Sequence, residues 1–255
     1  MQTLDLKKRQ IEHHAFYKNE INKLQNHSCN QKNIIIDFIA QRPLNTALKI
    51  LPETVKGKSI LCVCSGRGDE AITLLKKGAI VTATDISQPV LDLIKYKEPK
   101  LKTELMDAEN MPYEDNSFDY VLVKHGLHHL PRPILGLYEM TRVAKSGIIV
   151  IEAQDTWAMN ILLKFNMAEK IEESGNFVYR FSRKEMKKIF NTMFIHDVQI
   201  KTEWYQYSAF LNKHVYPYLN NKIGFALFKY ILKLFNLIFG HWGNNFIMVV
   251  KKNET

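Results

Sequence analysis

The sequence predicts a doubly wound α/β fold built on a mostly parallel sheet. Three observations carry the prediction. Short β-like runs alternate with helical periodicities from residue 59 to 152. The apolar stretch ILCVCSGRGDEA, residues 60–71, runs into two glycines and then into a helical pattern. The residues best suited to hold a ligand stand just after strands, where open α/β sheets bind.

Taken in order, residues 5–26 and 31–51 have helical periodicity and form an N-terminal helical cap over 1–57. Strands follow at 59–65, 80–84, 102–106, 118–123 and 147–152. Helices between them are expected at 70–77, 90–96 and 134–143, with Gly78 closing the first. Ser87 is placed as the cap of the second. Strand–helix alternation requires right-handed crossovers and a sheet covered on both faces. The 255 residues, 46% of them hydrophobic, suffice for one such domain: core 58–153, with insertions at 154–180 and 208–240 on the acceptor side.

The chain carries 35 Lys and Arg against 26 Asp and Glu, a formal charge of +9. These cations are scattered as pairs, without an arginine block or a stripe interleaved with aromatics. That pattern favours a generally cationic surface over nucleic-acid or anionic-membrane binding, and no nucleic-acid partner is expected. The first twenty residues lack the apolar centre of a secretory signal. An odd number of cysteines, with Cys62 and Cys64 inside one strand, suits a reducing compartment, so a cytoplasmic protein is the default.

Four loops converge on one rim. Gly66 and Gly68 leave bare backbone before a helix N-terminus, where an anionic ligand group is favoured. Asp85, ending the second strand, is placed to accept from both hydroxyls of a ribose. Asp107 can accept from an exocyclic adenine amine while the Ala108 amide addresses a ring nitrogen. Together these describe an adenosine site. G-R-G-D-E-A at 66–71 also satisfies a dinucleotide fingerprint, so an NAD(P)-dependent oxidoreductase is a competing reading.

At LCVCSGRG (61–68), VTATDIS and MDAENMPYEDNSFDYVLVKHGLHHLPRP the sequence resembles the class I S-adenosylmethionine-dependent methyltransferases, in particular the ubiquinone/menaquinone-biosynthesis group. The resemblance covers about residues 58–153 and implies a seven-stranded Rossmann-like sheet with S-adenosyl-L-methionine as cofactor. By the same resemblance Gly66 and Gly68 face the methionine part, Asp85 the ribose, and Asp107 and Ala108 the adenine, with Cys64 and Ile86 also expected among the cofactor-binding residues. Lys124 or His125 supplies a backbone contact near the methionyl group. Two positions depart from the family pattern: Cys62 stands where an acid is usual and Cys64 where the first glycine is usual. Glu70 or Glu152 is a candidate replacement for the acid.

Methyl transfer rests mainly on positioning, with a base needed only for acceptors that must lose a proton. His128 and His129 are the candidate bases, and Tyr17 on the leading helix is a third candidate catalytic residue. Packing and loop ordering by the histidines is the competing role. HxxHH at 125–129 lacks the partner ligands of a zinc site, so no metal is expected. For the acceptor pocket, candidates are His13, His14, Phe16 and Tyr17, then Trp157, Phe177, Tyr179 and Arg180. The last is GFALFKYILKLFNLIFG at 224–240, where Lys229, Lys233 and Asn236 share one face. That helix packs on its own domain or a second subunit, or else makes peripheral membrane contact. The expected function is methyl transfer to a small-molecule acceptor, with apolar or lipid-linked acceptors among the candidates. A non-catalytic methyltransferase-like partner subunit is the other alternative.

Overall fold

The computed structural model describes residues 2–13, 33–166, 168–171, 175–204 and 214–252. Helix α1 (Gln2–His13) and helix α2 (Ile34–Ile50) precede the sheet. The rest of the predicted 5–26 helix, with His14, Phe16 and Tyr17, lies outside the described residues. The Asn33 side chain caps α2 by accepting from the amides of Ile35 and Ile36.

The sheet follows as β1 (Ser59–Val63), β2 (Ile80–Asp85), β3 (Lys102–Leu105), β4 (Phe118–Lys124), β5 (Ala144–Ala153), β6 (Val198–Glu203) and β7 (Asn245–Lys251). Helices α3 (Asp69–Lys76), α4 (Gln88–Lys97) and α5 (Pro133–Val143) connect the first five strands. After β5 come α6 (Trp157–Lys164) and α7 (Arg183–Thr192). Between β6 and β7 lie α8 (Tyr216–Leu219) and α9 (Lys222–Phe239). The strand order is β3-β2-β1-β4-β5-β7-β6, and β7 pairs antiparallel with both of its neighbours. The predicted doubly wound, mostly parallel seven-stranded sheet is therefore present. Its order reverses at β1, between β2 and β4, which places the ligand rim at the carboxyl ends of these strands.

Alternating side chains explain why both faces are covered. Ile60 and Cys62 point to the side packed by α2, α3 and α4, with Leu44, Leu74 and Ile94. Leu61 and Val63 point to the side packed by α5 and α7, with Leu137, Met140 and Phe190. A third cluster joins Ile35 and Ile39 of α2 to Tyr216, Phe228 and Leu232. Strand β5 starts three residues before its predicted position because Ala144 already pairs with Phe118. Ser87 stands at the N-cap of α4, but its hydroxyl makes no cap hydrogen bond. Its amide instead donates to Asp85 Oδ1 at 3.1 Å, so the aspartate organises that turn.

Candidate active site

A cleft of about 1620 Å³ opens over the carboxyl ends of β1, β2 and β4. A pocket for one drug-sized ligand holds about 300–1000 Å³, so this one has room for a nucleoside cofactor and an acceptor together. Of the residues named from the sequence, Cys64, Gly66, Asp85, Ile86, Asp107, Ala108, Lys124, His125 and His129 line it.

The two glycines serve different ends. Gly66 has φ +48° and open space where a Cβ would stand, so its backbone is bare toward the cleft. Gly68 is not among the residues lining the cleft. A Cβ on Gly68 would come within 2.7 Å of Ile94, so its bareness lets α4 pack against the turn, a correction to its expected contact with the ligand. Cys64, which stands where the resembling pattern has its first glycine, holds a left-handed backbone with φ 49°. Its neighbour makes room: a Cβ on Gly126 would lie 2.5 Å from the Cys64 Cβ. Burial, then the charges of Asp85 and Glu152, push the pKa of the Cys64 thiol well above its ordinary value.

Asp85 is 5% exposed, which rules out a surface acid. Its Oδ2 accepts from Gly66 N and its Oδ1 from Ser87 N, each at 3.1 Å. Burial pushes its pKa up, against the opposing pull of the Gly66 and Ser87 amides and the charge of His129.

Asp107 Oδ1 accepts from the amide of Glu109 at 3.0 Å. Its Oδ2 lies 2.5 Å from Lys7 Nζ, which also reaches Glu109 Oε2 at 2.8 Å. Sequence reasoning missed Lys7, because nothing in α1 marks one lysine among several as the one that crosses to β3. It also missed α2, whose Ile36, Ala40 and Leu44 form an apolar wall of the cleft.

Glu70, one of the two candidates for the missing acid of β1, lies near Cys62. It lines the cleft and bonds Lys124, whose Nζ also donates to Ala40 O at 2.9 Å. Glu152 has another task. Fully buried, it accepts from Leu127 N at 2.9 Å and lies 2.5 Å from His128 Nδ1. Burial works to raise its pKa, but the charges and hydrogen bonds of His128 and His125 hold the carboxyl well below its usual range. His128 is buried behind the rim and does not line the cleft, a correction to its expected place as a base. Its ring lies 4.3 Å, centroid to centroid, from that of His129, which does face the cleft.

The expected acceptor-side insertions lie partly outside the described residues. Among the described residues, none from 154–180 or 208–240 lines the cleft. The reason is packing: α2 stands between α9 and the cleft, and Phe181 is buried in the core against β5. Arg180 donates to the carbonyls of Glu169 and Val178, bracing its own loop. Asn236 turns inward from the lysine face, accepting from Trp204 N at 2.8 Å. Among the described residues no cluster of His, Cys, Asp and Glu is arranged to hold a metal ion.

A bare backbone at Gly66, a buried acid on the cleft wall and a second acid just after β3 fit a nucleoside with a charged amino-acid arm. Comparison with known proteins gives the same class: residues 61–151 match the family described as methyltransferase domain. Demethylmenaquinone methyltransferase from Staphylococcus aureus is 39% identical over 102 residues, 38% of this chain. The match spans 42% of the length of that relative. Among solved structures, a S-adenosylmethionine-dependent methyltransferase from Thermotoga maritima superposes with TM-score 0.57 and 14% identity, covering 94% of this chain and 99% of that one. The magnesium protoporphyrin IX methyltransferase of Synechocystis, solved with S-adenosylhomocysteine, gives TM-score 0.59 and 14% identity over 93% and 96%.

The fold and the matched segment are those of a class I S-adenosylmethionine-dependent methyltransferase, and S-adenosyl-L-methionine is the cofactor of that class. Within it, the core is similar to that of the demethylmenaquinone methyltransferases. The nicotinamide reading of the glycine turn falls with this assignment.

Proposed function

We propose that the chain transfers a methyl group from S-adenosyl-L-methionine to a small apolar acceptor. The observation that carries the reading is Asp85: a buried acid that ends β2 on the cleft wall and is held there by two backbone amides. Asp85 and the adjoining Ile86 hold the ribose, Asp107 and Ala108 the adenine, and Gly66 with Cys64 the methionyl arm. Glu70 takes the part of the absent β1 acid toward the ammonium group. Lys124 ties β4 to α2 and to Glu70, which fixes the wall near His125.

When bound, the cofactor supplies a methyl group on a positively charged sulfur, ready for in-line attack. The protein's contribution is positioning and exclusion of water. Lys7 draws α1 onto the acids of the adenine end and so helps to close the cleft. The apolar wall of Ile36, Ala40 and Leu44 suits an acceptor with a hydrophobic body, and the name of the Staphylococcus relative, a methyltransferase of demethylmenaquinone, agrees. Where that acceptor must lose a proton, His129, which lines the cleft together with His125, is the candidate base, and His128 with Glu152 positions it from behind. Tyr17, outside the described residues, stays a candidate contact on the same side. Free thiols at Cys62 and Cys64 support a cytoplasmic location.

Titration calorimetry with S-adenosylhomocysteine and with NAD tests the cofactor. Saturable binding of the first and none of the second is expected. Mass spectrometry of a cell extract supplied with methyl-labelled S-adenosylmethionine then reports transfer and acceptor together; tight NAD binding without transfer would overturn the reading.

A further inference from the structure

The longest described helix leaves a broad apolar face uncovered. Helix α9 buries Gly224, Phe228 and Leu232, four residues apart, against α2 and Tyr216. At about 100° per residue its outward side, an arc of about 100°, carries Leu237, Ile223, Leu234, Leu227 and Ile238. Ile223 and Leu237 are 83% and 80% exposed. Lys222, Lys229 and Lys233 fall within about 40° of one another along one edge of that arc, and all three are exposed.

Beyond the end of α9, Trp242 makes an edge contact with Trp157 at 5.5 Å. Trp157 and Ile161 of α6, and Phe165 just after it, are exposed at four-residue spacing. A solvent-facing apolar surface of this extent marks a docking site.

We propose that this face docks on an anionic membrane surface, with α9 lying in the interfacial plane. Charge complementarity selects the partner: the lysine edge matches anionic headgroups, and the two tryptophans are the side chains that favour the headgroup level. By length and composition α9 is able to cross a bilayer. Its inner face is already part of the domain core, and Lys229 and Lys233 stand near its middle, so it lies flat.

Docking would bring the cleft close to the lipid. Helix α2 packs Ile35 and Ile39 on α9, while its Ile36 and Ala40 line the cleft, so one helix separates bilayer and active site. The membrane proposal needs no bound cofactor and stands apart from the methyltransferase reading.

The test is flotation of the full chain with vesicles of phosphatidylcholine alone and of phosphatidylcholine mixed with phosphatidylglycerol. Binding to the anionic vesicles is expected, with a blue shift of tryptophan emission. Replacing Lys222, Lys229 and Lys233 by Gln lowers that partition coefficient by about a hundredfold. Replacing Ile223 and Leu237 by Glu abolishes binding while leaving circular dichroism and the melting temperature unchanged. No binding to either vesicle overturns the proposal, as does triple-Gln binding equal to that of the parent. A concentration-dependent dimer in sedimentation velocity that the Glu pair dissociates, without vesicle binding, overturns it too and assigns the face to a second copy.

Discussion

Replacing Asp85 by Ala is the most direct trial of the cofactor site. The carboxylate accepts from Gly66 N and Ser87 N on the cleft wall. On the proposed reading it also accepts from both ribose hydroxyls, two hydrogen bonds that Ala cannot make. Their loss weakens binding by about 1–3 kcal/mol, or roughly five- to 150-fold in Kd. Calorimetry with S-adenosylhomocysteine measures it. Asp119→Asn is the control: Asp119 accepts from the amide and hydroxyl of Ser59 at 2.8 Å, away from the cleft, so its loss costs stability and leaves Kd alone. pH adds a second readout. Because burial raises the folded pKa of Asp85, its own contribution to stability without ligand is present at low pH and is lost as pH rises through that value. Ribose binding needs the charged form, so affinity runs the other way. It falls on acidification at a pH above the ordinary carboxylate range, and Asp85→Asn flattens the profile. An Asp85→Ala protein that is folded and binds S-adenosylhomocysteine with unchanged Kd would refute the assignment.

Three further outcomes follow from the geometry. Gly126→Ala places a Cβ 2.5 Å from that of Cys64 and 2.9 Å from Val123 Cγ2, costing about 1–3 kcal/mol in urea unfolding. Cys64→Gly in the same chain recovers much of it, and additive costs would show that the two sites are not coupled. His128→Leu leaves Glu152 buried beside a hydrocarbon and costs about 3 kcal/mol of stability, whereas a cost under about 1 kcal/mol would remove the pair from the loop's support. The parent holds the Glu152 contribution above the unfolded carboxylate pKa and loses it only as pH falls through the depressed folded value. Lys7→Ala frees α1 from Asp107 and Glu109, and stopped-flow release of S-adenosylhomocysteine speeds up about fivefold, a loss of about 1 kcal/mol; an unchanged rate would mean that α1 does not close the cleft.

The order of strands and the rim were legible because both rest on local signals. Apolar runs such as SILCV and FDYVLVK are buried on both faces, and acids just after strands have few other reasons to stand there. What stayed hidden depends on partners far away in sequence. Gly66 and Gly68 are alike on paper; only the position of Ile94 separates the one facing a ligand from the one facing a helix. His128 and His129 are adjacent, yet Glu152, 24 residues on, draws one inward and leaves the other on the wall. The acceptor wall was misplaced for a similar reason. Exposed aromatics at 154–180 look like a binding surface, whereas α2 looks like an ordinary core helix until its two sides are seen to do different work.

That division in α2 bears on the acceptor more than any single residue does. Ile35 and Ile39 are buried against α9, and Ile36 and Ala40, one turn apart on the adjoining face, line the cleft. A rigid helix with one face on the membrane-docking element and the other on the cleft makes it costly to shift either alone, since interdigitated cores resist sliding. A change in how α9 sits on a surface is therefore expected to be felt at the apolar wall of the cleft. Phe228→Ala tests the coupling. It leaves the lysine edge and the outward arc in place, but loosens α2 by about 3–5 kcal/mol of packing. Acceptor KM should rise with the affinity for S-adenosylhomocysteine held by Asp85 nearly unchanged, and equal losses of both would show that α2 supports the whole cleft instead.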